Sequence, residues 1–295
     1  MNFRLRLDFQ KHGRLRFLSH LEVVRALERM IRRAQLPYAV SQGFNTHMRY
    51  APGPALPVGT VGLDEHFDLW LTEYLNPALA LGRLGDVGLR GLTITAASYV
   101  DPRAKGLQAT HIHEEYKLVI AVGGAGAVSG VDGVAGAEGD ASGTDNDVGA
   151  EGDAGGVSDA NGAETASDAN GANGAETLSA SEIVDGLTRV IATGALSVRR
   201  GKKNKDYDLT QAIDWMPVAC EGQAAATTCE GQAAVDYGER KAGDIVILTM
   251  GLRATERGTV RPELLLRAAL VDKQGWELKS VVRTRLYEDK ELEVS

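Results

Sequence analysis

The chain has 295 residues, 43% of them hydrophobic, enough to give one large domain or two small ones a real core. It holds no run of about 18 apolar residues able to span a bilayer. Its two cysteines, Cys220 and Cys229, are too few for an iron–sulfur cluster or a disulfide framework.

Charge is segregated along the sequence. The formal net charge is −8, yet residues 123–180 hold eleven acids and no base, and the rest holds 32 bases against 29 acids. Residues 1–50 carry ten bases and three acids. A positive field of that density favours phosphate-bearing partners.

The first block spans residues 1–102. Phe3, Leu5, Leu7 and Phe9 alternate with Arg4, Arg6 and Asp8, the pattern of a half-buried strand that Arg14 to Leu18 continues or pairs with. The Met1–Arg6 start lacks the apolar block of a signal peptide, so a cytoplasmic protein is expected. Ser19 and Glu22 have the spacing of a capping box, and Val24, Leu27, Ile31 and Ala34 recur at helical spacing behind it. Pro37 follows this helix and Tyr38 to Val40 begins a strand. Met48 to Val61, broken by Pro52, Pro54 and Pro57, reads as an irregular strand pair. Phe67, Leu69 and Leu71 mark another strand, Asn76-Pro77 opens a helix to about Leu84, and Leu92, Ile94 and Ala96 close the block as a strand.

The second block, residues 103–122 and 181–295, repeats the order. It has a strand from Tyr116 to Val122 and a helix from Ser181 to Ala192. Strands over Leu196–Arg200 and Asp206–Ile213 flank a basic turn. A strand from Ile245 to Leu252, a helix from Arg261 through Ala269 and a strand from Ser280 to Leu286 complete it. The expected fold is α+β, two tandem ferredoxin-like units with antiparallel sheets. The alternative is a single mixed sheet with helices on one face. Residues 123–180, rich in Gly, Ala, Asp, Ser and Asn and internally repetitive, cannot bury enough apolar surface to offset their ordering entropy and are expected to be disordered. Residues 219–238, in which Cys220-Glu221-Gly222-Gln223 recurs as Cys229-Glu230-Gly231-Gln232, read as a low-complexity loop.

Several residues could carry chemistry. Arg25, Arg29, Arg32 and Arg33 lie opposite the apolar stripe of the first helix, with Arg14, Arg16 and Arg49 as possible neighbours; guanidinium groups suit bidentate phosphate contact, while a solvated helix face is the plain alternative. Gly43 permits a tight turn beside Phe44 and Asn45, where Phe44 either stacks on a base or belongs to the core. The turn holding Arg199, Arg200, Lys202, Lys203 and Lys205 can track a nucleic-acid backbone or be a solvated hairpin. His111 and His113 would share one face of a strand, but no further ligand follows at metal-binding spacing, so neither a metal nor a cofactor is expected. His20, in the first helical turn, and His47 are the weak candidates for acid–base catalysis. No phosphate-binding loop, dinucleotide fingerprint, nucleophile elbow or zinc-protease motif is present, which favours a binding or accessory role over a reaction.

The runs Gly13-Arg14-Leu15-Arg16-Phe17-Leu18-Ser19-His20-Leu21, Arg25-Ala26-Leu27-Glu28-Arg29, Ser41-Gln42-Gly43-Phe44-Asn45 and Ala55-Leu56-Pro57-Val58-Gly59 closely resemble the radical SAM-linked protein family, a domain of unknown function. The resemblance is strongest over residues 1–75 and continues at Arg199-Arg200, Arg261-Pro262-Glu263 and Val282-Arg283-Thr284. Members occur alone, fused to, or encoded with a cobalamin-binding radical SAM protein. The resemblance therefore implies an accessory that presents RNA to such a partner, with no membrane involved. It supplies no catalytic residue. Where the family has Pro-His-Pro after Gly-Phe-Asn, this chain has Thr46-His47-Met48. Tandem ferredoxin-like units with a basic helix are also similar, in fold and charge alone, to CRISPR repeat-processing endoribonucleases. A metal-independent endoribonuclease using His20 or His47 is thus one alternative function, and a protein-docking domain without nucleic acid is another.

Overall fold

The structure is a computed structural model and describes residues 3–123, 178–200, 203–222, 244–255 and 258–288. Most of the acidic segment and of the low-complexity segment, on which the expectations of disorder and of a loop fell, lies outside the described residues.

The first half runs β1 (Phe3–Lys11), a 3-10 turn (Gly13–Phe17), α1 (His20–Arg33), β2 (Tyr50–Pro52), β3 (Val61–Leu71), α2 (Pro77–Asp86) and β4 (Leu92–Val100). The short helix α3 (Leu107–Thr110) leads to β5 (His113–Val122), α4 (Ala180–Ala192), β6 (Ala195–Arg200) and β7 (Lys203–Asp208). Then come α5 (Leu209–Ala212), β8 (Ile213–Gly222), β9 (Ile245–Arg253), α6 (Pro262–Ala269) and β10 (Trp276–Tyr287). No described helix is long and apolar enough to cross a membrane.

Eight strands form one sheet in the order β4-β1-β3-β10-β5-β9-β8, with β2 also paired to β3. All pairs are antiparallel except β3 with β10, which meet in parallel at Val61–Val282 and Gly62–Arg283. The β6–β7 pair stands apart as a two-stranded ribbon. Each half has its own core. In the first, α1 and α2 (Val24, Leu27, Ile31, Ala80, Leu84) pack on Leu5, Leu7, Phe67 and Leu69. In the second, α4 and α6 (Ile183, Leu187, Leu265, Leu266) pack on Tyr116, Leu118, Leu248 and Met250. Arg283 reaches Glu65 from the core-facing row of β3 and Glu114 from that of β5, so both rows look to the same side of the sheet.

The caps follow from the sequence. Ser19 and Glu22 make the reciprocal capping box of α1, and Asn76 accepts from Ala78 N–H at the start of α2. The C-terminus of α1 closes in a Schellman turn: Leu36 N–H donates to Ile31 O and Gln35 N–H to Arg32 O, with Gln35 in the left-handed region at φ 52°.

Three expectations need correction. Arg14 to Leu18 is not strand: Gly13, at φ 59°, turns the chain out of β1 into the 3-10 turn. Asp206 to Ile213 is not one strand either. The Asp208 side chain accepts from Thr210 N–H and starts the helical turn Leu209–Ala212, after which β8 begins. That strand continues to Gly222, so the first copy of the Cys-Glu-Gly repeat pairs with β9.

Candidate nucleic-acid interface and the adjoining cleft

α1 presents its charge outward because its inner face is filled: Val23, Val24, Ala26, Leu27, Met30 and Ile31 are buried. Arg25, Arg29, Arg32 and Arg33 are all exposed. Among the described residues only Arg32 of the four is ion-paired, to Glu28 at 3.3 Å. Such an exposed pair contributes little to stability, so the row remains open to an anionic partner. Arg14 is exposed on the 3-10 turn that adjoins the helix, and Arg16 lies 4.7 Å from the ring of Phe17, itself 58% exposed.

The loop after α1 carries Phe44 fully exposed, outside the core, with Asn45 and His47 also exposed. Gly43 adopts φ 140°, which a side chain would disfavour, and His47 N–H donates to Ser41 Oγ at 3.0 Å. Arg49 stacks 4.8 Å from the ring of Trp70, which Arg4 also approaches at 5.1 Å.

The second basic element sits on the other half. In the β6–β7 ribbon Arg199 pairs in register with Asn204 and Arg200 with Lys203. Arg199 is exposed, and Lys205 lies over the ring of Tyr207, which anchors the ribbon in the second core. Lys202 lies outside the described residues. The structure thus brings Arg14, Arg16 and the α1 row onto one half and stands the ribbon on the other.

His111 and His113 are both buried but have different neighbours. The His111 ring meets His66 edge-on at 4.8 Å, while His113 Nδ1 lies 2.6 Å from Asp214 and its ring stacks on Tyr287. The expected shared strand face is therefore wrong, because His111 ends α3 and only His113 belongs to β5. Burial and the neighbouring His66 push the His111 pKa down to about 4. For His66 burial acts downward, but the hydrogen bond its ring donates to Asp8 and the charge of Asp64 outweigh it and raise the pKa. No group of three His, Cys, Asp or Glu among the described residues is placed to hold a metal ion.

A further cluster lies where β3 meets β10. Arg283 is fully buried; its Nε and Nη2 donate to the two oxygens of Glu65 at 2.9 and 2.5 Å, and Nη2 also donates to Pro54 O at 3.0 Å. Its Nη1 is 3.4 Å from Glu114 and finds no hydrogen-bond acceptor among the described residues. Glu114 instead accepts from the Tyr116 hydroxyl at 2.6 Å and from Thr259 at 3.0 Å. Burial disfavours the Arg283 charge, but Glu65 and Glu114 more than compensate and hold it firmly protonated. Burial, then Glu114, pushes the Tyr116 hydroxyl well up.

Beside this cluster a narrow cleft lies between the first turns of α1 and the Pro52–Leu56 segment, with a cavity volume of about 20 Å3, room for about one water molecule. Lys11, His20 and Glu65 supply its polar lining, and Phe9, Leu27 and Leu56 are among its apolar walls. Lys11 is buried and donates to Arg16 O and Leu18 O at 3.2 and 3.4 Å. Burial lowers its pKa to about 8 against the pull of Glu65. The His20 pKa is lowered by burial first, then by the charges of Arg283 and Lys11. Sequence reasoning reached His20 but missed Lys11, Glu65, Glu114 and Arg283. The signal was there: Lys11 continues the inward row Leu5-Leu7-Phe9, and Glu65 precedes Phe67-Leu69-Leu71 on the same row.

The profile of a family described as "Uncharacterized protein conserved in bacteria (DUF2344)" matches residues 4–262. The chain belongs to this family. No curated protein matches it in sequence. Among solved structures, a chain of the crystal structure of a Cbf5-Nop10-Gar1 complex is similar at 13% identity and a TM-score of 0.38, over 98% of this chain and 50% of that one. The present chain thus spans about half the length of that relative. An unknown protein from Galdieria sulphuraria is similar at 11% identity and a TM-score of 0.21, over 98% of this chain and 99% of that one. For this DUF2344 member the functional reading therefore rests on its own residues.

Proposed function

We propose that this DUF2344 member is a non-catalytic accessory protein of the cytoplasm, which holds RNA while a separate catalyst acts on it. The observation that carries this reading is the row of exposed arginines on α1, of which only Arg32 has an acidic partner among the described residues. Exposed Phe44 adds a surface on which an unpaired base can stack, and the Arg199–Lys205 ribbon adds a second contact to the phosphate backbone. We also propose two ferredoxin-like units as the scaffold; the orders β4-β1-β3-β2 and β10-β5-β9-β8, each with two helices, support it. The catalyst, on the family resemblance, is a cobalamin-binding radical SAM protein.

The test is RNA binding by the full chain across a salt series. Association that weakens steeply with salt, and is lost when Arg25, Arg29 and Arg33 are each replaced by Glu, supports the reading. Affinity unchanged by that triple reversal removes it.

A further inference from the structure

We propose that the α1 arginine row and the β6–β7 ribbon are two ends of one site, bridged by a single unpaired RNA strand that crosses the junction of the two halves beside Phe17 and Arg261. This inference rests on the RNA-binding reading and names the form of RNA that the site takes.

Both elements stand on the helix-covered side of the sheet. α1 packs there on the first core, and Tyr207 roots the ribbon in the second, among Tyr116, Leu248 and Val260. A chain of short contacts joins them. Lys205 Nζ is 3.6 Å from the point where a Cβ on Gly258 would sit, and the next residue, Thr259, donates to Glu114 at 3.0 Å. Glu114 lies 3.4 Å from Arg283, which donates to Pro54 O at 3.0 Å. The Pro52–Leu56 segment then faces the first turns of α1 across the narrow cleft. The floor between the ribbon and α1 is therefore built from two segments, one from each half.

Charge along this floor favours a polyanion. Arg261, at the N-cap of α6 and two residues after Thr259, has no acidic partner among the described residues, and neither has Lys205. The nearby acids are engaged or turned away. Glu28 of α1 holds Arg32 and meets Tyr50 of β2. Glu65 and Glu114 are compensated by Arg283. Asp206 and Asp208 alternate with Lys205 and Tyr207 along β7, so they lie on the other face of the ribbon. Positive groups spaced along a groove track the backbone of a single strand.

The junction also supplies a stacking surface. Arg16 O accepts from Gly59 N–H at 2.8 Å, and Gly59 lies two residues before Val61, which pairs with Val282 of β10. Phe17, next to Arg16, is therefore held at the junction end of α1, and it is 58% exposed. Arg16 lies over its ring at 4.7 Å, which leaves the opposite face for a base. Exposed Phe44 offers a second such surface beyond the far end of α1. Bases are splayed onto aromatic side chains where they are unpaired, so the strand that uses both rings is single.

The experiment measures binding to the full chain, at one salt concentration, of labelled oligouridylates from about 4 to about 16 nucleotides long, the range of single-strand site sizes. Affinity should step up by about tenfold or more at the length that reaches the ribbon, because the second contact then acts at a high effective concentration. Lys205→Gln with Arg261→Gln should remove most of that step and leave the shortest probe unchanged, with circular dichroism confirming the fold. Thiouridine placed at either end of the longest probe should crosslink to α1 from one end and to the β6–β7 ribbon from the other. A smooth rise with length that survives both substitutions, or a loss equal at every length, overturns the bridging strand while the RNA reading stands. A duplex of the same length bound as tightly as the longest strand overturns the choice of unpaired RNA. No binding at any length removes the RNA reading itself.

Discussion

Arg283 and Glu65, 218 residues apart in sequence, lock together in a two-pronged ion pair where the two halves of the sheet meet. Arg283 is 0% exposed, and its third nitrogen faces Glu114 of the second half. One guanidinium thus compensates two buried carboxylates, one from each core. Removing it strands both charges. Arg283→Met should therefore lose about 3–5 kcal/mol of folding stability, the range for breaking one side of a buried pair. Arg283→Met combined with Glu65→Gln and Glu114→Gln should recover part of that loss, because no charge is then left unmatched. Urea denaturation of the single and triple variants checks this; a single variant as stable as the parent refutes it.

The arginine row makes a prediction about slope rather than affinity alone. Each phosphate contact contributes roughly 0.9 to the dependence of log K on log salt for duplexes and about 0.7 for single strands. Arg25→Ala, Arg29→Ala and Arg33→Ala together should flatten the slope for a single-stranded RNA by about 2. If the ribbon shares the same RNA, Lys205→Ala should flatten it further, by about 0.7, in the same background. All four side chains are at least partly exposed, so circular dichroism and melting should be unaffected.

The His66–His111 contact titrates in a predictable direction. His111 has its pKa lowered to about 4 from the ordinary 6.5, so the unfolded chain takes up a proton before the folded one does. The stability that the buried neutral ring contributes is full above pH 6.5 and is lost as pH falls through 4. Proton NMR of the histidine rings should find His111 titrating near 4. His66→Gln removes the neighbouring positive charge and should raise the His111 pKa, while Asp8→Asn should lower that of His66.

What was legible in the sequence was local. The Ser19–Glu22 box and the Val24-Leu27-Ile31 stripe fix α1 by themselves, and once its inner face is known the outward arginines follow. Strands with clean alternation, such as Leu5-Leu7-Phe9, were equally readable. β8 was not. Asp214, Trp215, Met216 and Pro217 break the alternation, and the register slips twice there, between Ile213 and Trp215 and between Trp215 and Val218. A proline is tolerated because β8 is the edge of the sheet, a fact only the pairing reveals. The Gly13–Phe17 turn failed for the opposite reason: Leu15 and Phe17 imitate strand alternation, and one left-handed glycine overrides it. The buried charges were written in the inward rows of β1 and β3, but their partner Arg283 comes from the far end of the chain, and no local pattern connects them.

Close approach of α4 to α6 depends on the absence of one methyl group. A Cβ at Gly186 would lie 2.8 Å from the backbone oxygen of Ala269, closer than van der Waals contact allows. Backbone cannot swing aside as a flexible side chain can. Helix propensity alone would make Gly186→Ala stabilising, by about 1 kcal/mol. Overpacking opposes it at about 1–3 kcal/mol, so the net change should be a loss. The loss should fall on the second core, where Ile183 and Leu187 of the same helix pack beside Leu265 and Leu266. Hydrogen exchange should show faster opening of α4 and α6 with α1 little changed; a variant more stable than the parent would mean that α6 shifts freely.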